Sequence, residues 1–198
     1  MTCQTHRAPA GVCRPGADTI MLTNAALLES PCSVLDMGTG SGYAAIRLAE
    51  HGFFVEACDI CGTAVSAAVQ NALRNDSKIR FFQSDLWDSA GKYDLVIFNP
   101  PLSNSQPLLK GLFRRIPFSM LCGPLVYVVD GAFRRTIVSR FIAGARDHLN
   151  KGGRLLMVVM KPELASVREL AAGQGFGFTV VGEKGQYFIG KLSVVNCG

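Results

Sequence analysis

Short apolar runs alternate with segments whose apolar positions recur at helical spacing, and this alternation predicts an α/β chain. Ser33–Met37, Phe53–Asp59, Ile79–Gln83 and Tyr93–Phe98 read as strands, with helices over 42–51 and 62–75 between the first three. An irregular stretch over 102–118 follows. Beyond it come a strand at Leu125–Val129, a helix over 134–149, a strand at Arg154–Met160 and a helix at Leu164–Gly173. Phe176–Val181 and Tyr187–Val195, joined through Gly182-Glu183-Lys184-Gly185, read as a closing antiparallel hairpin. Repeated βαβ units imply a mainly parallel sheet with right-handed crossovers. Residues 1–14 read as a flexible arm before a single domain over 15–198. The stretch 102–133, rich in Phe, Leu and Pro, is the expected place for substrate selection, because loops over a rigid scaffold carry specificity.

The first strand runs into Gly38-Thr39-Gly40-Ser41-Gly42, and Ala44–Ala49 continues at helical spacing. Strand, glycine turn and helix start in that order make a nucleotide-type crevice. A dinucleotide fingerprint needs a third Gly at the sixth position, which here is Tyr43. The spacing is G-x-G-x-G instead, with Asp36 two residues before it. That argues against a pyrophosphate and for S-adenosylmethionine, which carries an amino acid and a sulfonium.

Further acids fall at strand ends. Asp59 closes the second apolar run at about the 20-residue spacing of a ribose-binding carboxylate. Asp85 follows the third run and could accept from an adenine amino group. Singly, each acid reads most simply as a solvated loop carboxylate. Together they occupy the carboxyl ends of successive strands, where open α/β sheets bind ligands.

Asn99-Pro100-Pro101-Leu102 closes the fourth run. Two prolines supply no N–H and fix φ near −65°, so the chain leaves its strand in a stiff, extended turn. The Asn99 side-chain oxygen and the Pro100 carbonyl can then face one point. Two such acceptors suit a planar NH2 group, whose nitrogen they would aim at an electrophile.

VLDMGTGSG, EACDI, SDL and DLVIFNPP resemble the successive motifs of class I S-adenosylmethionine-dependent methyltransferases. Among these the chain is most similar to the HemK/PrmC group, which methylates the glutamine amide in the GGQ motif of release factors. Pro15–Leu22 resembles the P-x-x-D-T-x-x-L segment of the short archaeal and eukaryotic enzymes, which lack the N-terminal helical domain of the bacterial ones. The resemblance implies a single Rossmann-like domain with a seven-stranded, mainly parallel sheet. It also implies that Asp36, Gly38, Gly40 and Gly42 frame the methionine end of the cofactor, with Thr19 helping to hold it. Asp59 with Ile60 would serve the ribose side, Asp85 and Leu86 the adenine. Asn99, also beside the cofactor, would orient the acceptor nitrogen with Pro100, in a turn completed by Pro101 and Leu102. The family's turn is usually NPPY. Leu102 offers apolar contact in place of a stacking ring, which leaves open a different amide, an amine or a less planar acceptor.

Composition fits one compact domain: 48% hydrophobic and 18% charged residues exclude a disordered chain. No apolar run approaches the roughly 20 residues of a membrane span, and the N-terminus has no apolar h-region, so cytoplasm is expected. Cys58-x-x-Cys61 is half a zinc or redox motif, but it straddles Asp59 and no second half accompanies it; no metal is expected. The +5 net charge suits an acidic partner, RNA or mere solubility.

An N-methyltransferase of HemK type acting on a release-factor glutamine is therefore the first reading, with a small activator subunit among its expected partners. An N-methyltransferase acting on a nucleobase exocyclic amine or a small-molecule amine or amide is the second. A silent binding module that keeps the fold is the third, and the intact acids and glycines speak against it. An amide nitrogen is a poor nucleophile, so catalysis would rest on orientation and on drawing density from the N–H bonds.

Overall fold

The computed structural model describes residues 14–101 and 124–195, together with Arg7, Ala8 and Val12, and the side chains of 124–134 are outside that description. Seven strands form one sheet: β1 (Ser33–Met37), β2 (Phe54–Asp59), β3 (Arg80–Gln83), β4 (Tyr93–Phe98), β5 (Leu149–Met160), β6 (Phe176–Lys184) and β7 (Tyr187–Val194). Their order is β3-β2-β1-β4-β5-β7-β6. The first five run parallel, and β7 lies antiparallel between β5 and β6. The expected seven-stranded, mainly parallel sheet with an antiparallel terminal hairpin is what the chain forms.

The strands read as continuous apolar runs because each face of the sheet is covered. Val34, Val55, Ala57, Leu95, Ile97, Leu156 and Val158 pack in one layer with Leu22 and Ala26 of α1 (Ala17–Ala26) and Ala44, Ala45 and Leu48 of α2 (Tyr43–Glu50). Their neighbours in sequence, Leu35, Met37, Val96, Phe98, Leu155, Met157 and Val159, pack in the other layer. There they meet Val138, Phe141 and Ile142 of α4 (Pro124–Ala145) and Val167 and Ala171 of α5 (Leu164–Gly173). Period-two alternation thus splits one apolar run between two cores. Each such Val, Leu, Ile, Phe or Met side chain contributes roughly 1.5–3 kcal/mol, and each alanine less.

Two elements differ from the sequence reading. The run Leu125-Val126-Tyr127-Val128-Val129, expected as a strand, lies within α4, whose first residue is Pro124. β-branched propensity is a weak preference, and here it yields to a long helix that Pro can open. That helix ends at Ala145, short of the expected 149; a 3₁₀ turn at Arg146–His148 passes straight into β5. Helix α1 had no counterpart in the expected order. Its opening Gly16 provides no side-chain cap, so the usual start signal is missing. Arg7 and Val12, within the expected arm, both rest on α3 (Gly62–Arg74). The Arg7 N–H donates to Asn71 Oδ1 (3.1 Å), and Val12 packs on Ala64 and Ala67.

Candidate active site

Parallel register brings four strand ends to one edge. Met37 of β1 pairs with Cys58 of β2 and Phe98 of β4, and Asp59 pairs with Gln83 of β3. Asp36, Asp59, Asp85 and Asn99 therefore all lie within two residues of one line across the sheet, at its carboxyl end.

The glycine turn is held by hydrogen bonds that two of these acids, Asp36 and Asp59, accept. The buried Asp36 carboxylate accepts at Oδ2 from Thr39 Oγ1 (2.7 Å) and from the Ala45 N–H (3.2 Å) in the first turn of α2. It thereby satisfies a helix N-terminal donor as a cap would. The Gly40 N–H donates to Asp59 Oδ2 (2.9 Å) and the Cys61 N–H to Oδ1 (2.9 Å). Gly38, Gly40 and Gly42 all have positive φ, at 67°, 56° and 83°. A Cβ at Gly42 would also meet Ala68 of α3 at 3.0 Å, and one at Gly38 the Phe98 ring at 3.4 Å. Here glycine is required, both for conformation and for close approach. Behind the turn, buried Asn71 donates to the Ser41 carbonyl (2.8 Å).

Burial pushes the Asp36 carboxyl up to about 7; the Thr39 and Ala45 hydrogen bonds oppose the shift, and nearby Asp59 adds to it. Asp59 is raised by burial as well, against hydrogen bonds from the Cys61, Gly40 and Ile60 backbone. Two carboxylates in one partly dry cleft favour a cationic ligand.

Beyond Asp59, Ile60 leaves an apolar side chain 63% exposed at the cleft, a surface suited to a flat aromatic group. Gln83 Nε2 donates to the Ile60 carbonyl (2.9 Å), tying β3 to this tip. Asp85 is drawn instead toward α4, where Arg140 donates to its Oδ2 (3.0 Å). Leu86, with φ of 53°, starts a tight turn that buried Ser84 closes by donating to the Leu86 carbonyl (3.0 Å) and accepting from the Ser89 N–H (3.0 Å). Among the described residues, no group of three His, Cys, Asp or Glu side chains could hold a metal ion, and no helix is long and apolar enough to cross a membrane.

At the fourth tip, Asn99 Nδ2 donates to Asp18 Oδ2 (2.8 Å) and to Thr19 Oγ1 (3.0 Å) from α1. Asn99 Oδ1 is buried and has no partner among the described residues. An orphaned buried acceptor costs about 1–3 kcal/mol unless something supplies a donor, and such atoms mark ligand sites. Pro100 is buried and Pro101 half-buried next to it; Leu102 lies outside the described residues. The structure thus joins Asp36, the glycine turn and Asp59 directly, and Thr19 to Asn99, while Asp85 stands at the rim in an ion pair. Asp18 is the residue that sequence reasoning did not place in the site. Its signal was the Asp-Thr pair just ahead of apolar Ile20, Met21 and Leu22, a helix start without a capping side chain.

The arrangement has relatives. Residues 17–116 match the methyltransferase small domain family. A putative protein N5-glutamine methyltransferase of Methanocaldococcus jannaschii is 30% identical over 161 residues, 80% of this chain and 76% of that protein. The release factor glutamine methyltransferase of Neisseria gonorrhoeae is 29% identical over 172 residues, which is 82% of this chain but only 60% of that enzyme. Among solved structures, the E. cuniculi Mtq2–Trm112 complex, responsible for methylation of the eRF1 translation termination factor, superposes with a TM-score of 0.67. It is 21% identical and aligned over 93% of this chain and 99% of its own. The family match spans the glycine turn, the acids and the Asn-Pro-Pro tip, and it places this chain in the methyltransferase small domain family.

Proposed function

We propose that the chain transfers a methyl group from S-adenosylmethionine to the side-chain amide nitrogen of a glutamine, and that a peptide-chain release factor presents that glutamine. The observation that carries the reading is the buried Asn99 Oδ1, which has no partner among the described residues, at the same strand-end edge as Asp36 and Asp59. The glutamine methyltransferase relatives support the acceptor class.

The residues present fit this cofactor. Asp36, anchored by Thr39 and Ala45, faces the region where an ammonium would be welcome, and the positive-φ glycines leave room for backbone contact. Asp59 accepts from the Gly40 N–H at Oδ2 and the Cys61 N–H at Oδ1, with the Ile60 N–H also bonded to the carboxylate, and its remaining lone-pair capacity would serve a ribose hydroxyl. Ile60 offers its exposed side chain to a purine face, with Asp85 and Leu86 at the same rim. When bound, S-adenosylmethionine supplies a methyl carbon made electrophilic by the sulfonium.

Asn99 Oδ1 then accepts one N–H of the acceptor amide and aims its nitrogen at that carbon. Transfer would leave the methyl on that nitrogen and the thioether as leaving group, and one amide proton would pass to water. Orientation and hydrogen bonding to a nitrogen that becomes more positive are the contributions of this tip. A small partner subunit, like that in the E. cuniculi complex, belongs to the same reading, and the proposed substrate puts the reaction in the cytoplasm.

The test is mass spectrometry of a release factor incubated with enzyme and S-adenosylmethionine, with and without Asn99→Ala. A single methyl on the GGQ glutamine is expected from the wild type. Asn99→Ala should lose nearly all turnover while calorimetry shows cofactor affinity within about twofold, since only transition-state orientation is removed. Normal turnover by Asn99→Ala would overturn the reading. Methyl incorporated into RNA and not protein would move the acceptor to a nucleobase amine.

A further inference from the structure

We propose that Asp18 is a positioning residue for methyl transfer, fixing which end of the Asn99 amide faces the acceptor and placing a negative charge behind it. The proposal rests on the role given above to Asn99. A side-chain amide can be turned by 180° at little steric cost, so something must decide whether its oxygen or its NH2 points at the reaction. Thr19 Oγ1, 3.0 Å from Nδ2, cannot decide it, because a hydroxyl both donates and accepts. A carboxylate only accepts. Asp18 Oδ2, 2.8 Å from Nδ2, therefore holds the nitrogen end toward α1 and leaves Oδ1 for the acceptor. The flipped amide would set two oxygens against each other.

Charge gives Asp18 a second effect. During transfer, positive charge leaves the sulfonium and builds on the acceptor nitrogen. A carboxylate hydrogen-bonded to the far end of the Asn99 amide polarises it, so that Oδ1 accepts more strongly as that charge grows. The local backbone makes room for this pose: a Cβ on Gly16 would collide with Asp18 Oδ1, so the side chain folds back over its own helix start. The plain alternative is an acid in the first turn of α1 that merely complements the helix dipole. Such a role would alter melting temperature and leave the chemical step alone.

Single-turnover transfer to a release factor at saturating S-adenosylmethionine separates the two. Asp18→Ala should slow the transfer step about 10- to 100-fold, the rate equivalent of one charged hydrogen bond lost from the transition state. Cofactor affinity by calorimetry should stay within about threefold, as expected when only a transition-state contact is removed. Asp18→Asn, which can still accept but carries no charge, should fall between. The double variant Asp18→Ala/Asn99→Ala should be no slower than Asn99→Ala alone, because Asp18 acts through Asn99. A readout apart from turnover is the Asn99 side-chain NH2 proton pair, assigned as the resonance absent in Asn99→Ala. It should lose its exchange protection in Asp18→Ala and in Gly16→Ala, variants that also serve should one of them fold poorly.

Wild-type transfer by Asp18→Ala in an enzyme that Asn99→Ala inactivates would overturn this proposal and leave the proposed function standing. Equal slowing by Asp18→Ala in wild-type and Asn99→Ala backgrounds would overturn it too. Full turnover by Asn99→Ala would instead remove the reading on which it rests.

Discussion

The Gly40 N–H donates to Asp59 Oδ2 at 2.9 Å, so the carboxylate at the tip of β2 also fixes the glycine turn after β1. With the Cys61 N–H on its other oxygen and the Ile60 N–H also bonded to it, Asp59 can still take a ribose hydroxyl only as a full carboxylate. Asp59→Asn is therefore not conservative, because its NH2 must oppose either the Gly40 or the Cys61 N–H. Both Asp59→Asn and Asp59→Ala should weaken S-adenosylmethionine binding at least about 10-fold and destabilise the apo protein by about 1–3 kcal/mol. Calorimetry and chemical denaturation test this together. Affinity within twofold of wild type in Asp59→Asn would refute it.

Asp36 predicts opposite pH trends for stability and for binding. Burial lifts its folded-state value to about 7 from an ordinary 3.8, so between those values the folded chain holds a proton that the unfolded chain has lost. Its contribution to stability is then fully present below about pH 4 and lost as pH rises through about 7, with a slope of at most about 1.4 kcal/mol per pH unit. Affinity for the cationic cofactor should instead rise through the same window, as the carboxylate ionises. Asp36→Asn should flatten both trends, leaving the contribution of Asp59, which burial moves in the same direction. Denaturation and titration series from pH 5 to 8 decide the matter; parallel wild-type and Asp36→Asn curves would count against it.

Trp87 clamps the rim of the cleft to α4. Its ring stacks on Phe141 (5.2 Å) and on His148 (4.9 Å), and Nε1 donates to the Phe141 carbonyl (3.0 Å). Gly144 lies under it, where a Cβ would strike the indole. Gly144→Ala should cost about 1–3 kcal/mol by overpacking and displace the ring. Trp87 is the chain's only tryptophan, so emission excited selectively at the indole, away from the tyrosines, reads this contact. A red-shifted native emission with a lowered denaturation midpoint is expected, and an unchanged spectrum and midpoint would show that the extra methyl leaves the ring in place, against the prediction.

These residues also show what could be read from the chain. Strands β1 to β4 and the site acids at their ends were legible because each strand is short, apolar and followed by a turn whose chemistry is local: glycines, an Asp, or Asn-Pro-Pro. Partners distant in sequence were not. Nothing near Asn99 announces Asp18, 81 residues away, and nothing near Asp85 announces Arg140. The run Leu125–Val129 failed for a different reason. Its β-branched pattern suits a strand, yet the sheet already pairs β5 directly with β4, so the segment was taken into a helix that covers them.

Glu29 offers a prediction at the opposite side of the chemistry, on stability alone. Its Oε2 accepts from Arg154 of β5 (2.8 Å) and its Oε1 from Lys191 of β7 (2.7 Å), joining the turn after α1 to both strands. Burial works to raise its value, but the Lys191 and Arg154 hydrogen bonds and charges outweigh it and hold the carboxyl below the ordinary 4.5. Its contribution is therefore present above about that pH and lost as pH falls beneath it. Glu29→Gln leaves two neighbouring cations with a neutral partner and should cost about 1–3 kcal/mol at pH 7. As pH falls below about 4.5 the gap between the variant and the wild type should narrow. Urea denaturation at pH 7 and pH 3.5 measures the gap, and a gap that stays constant would mean that the ion pairs contribute nothing beyond packing.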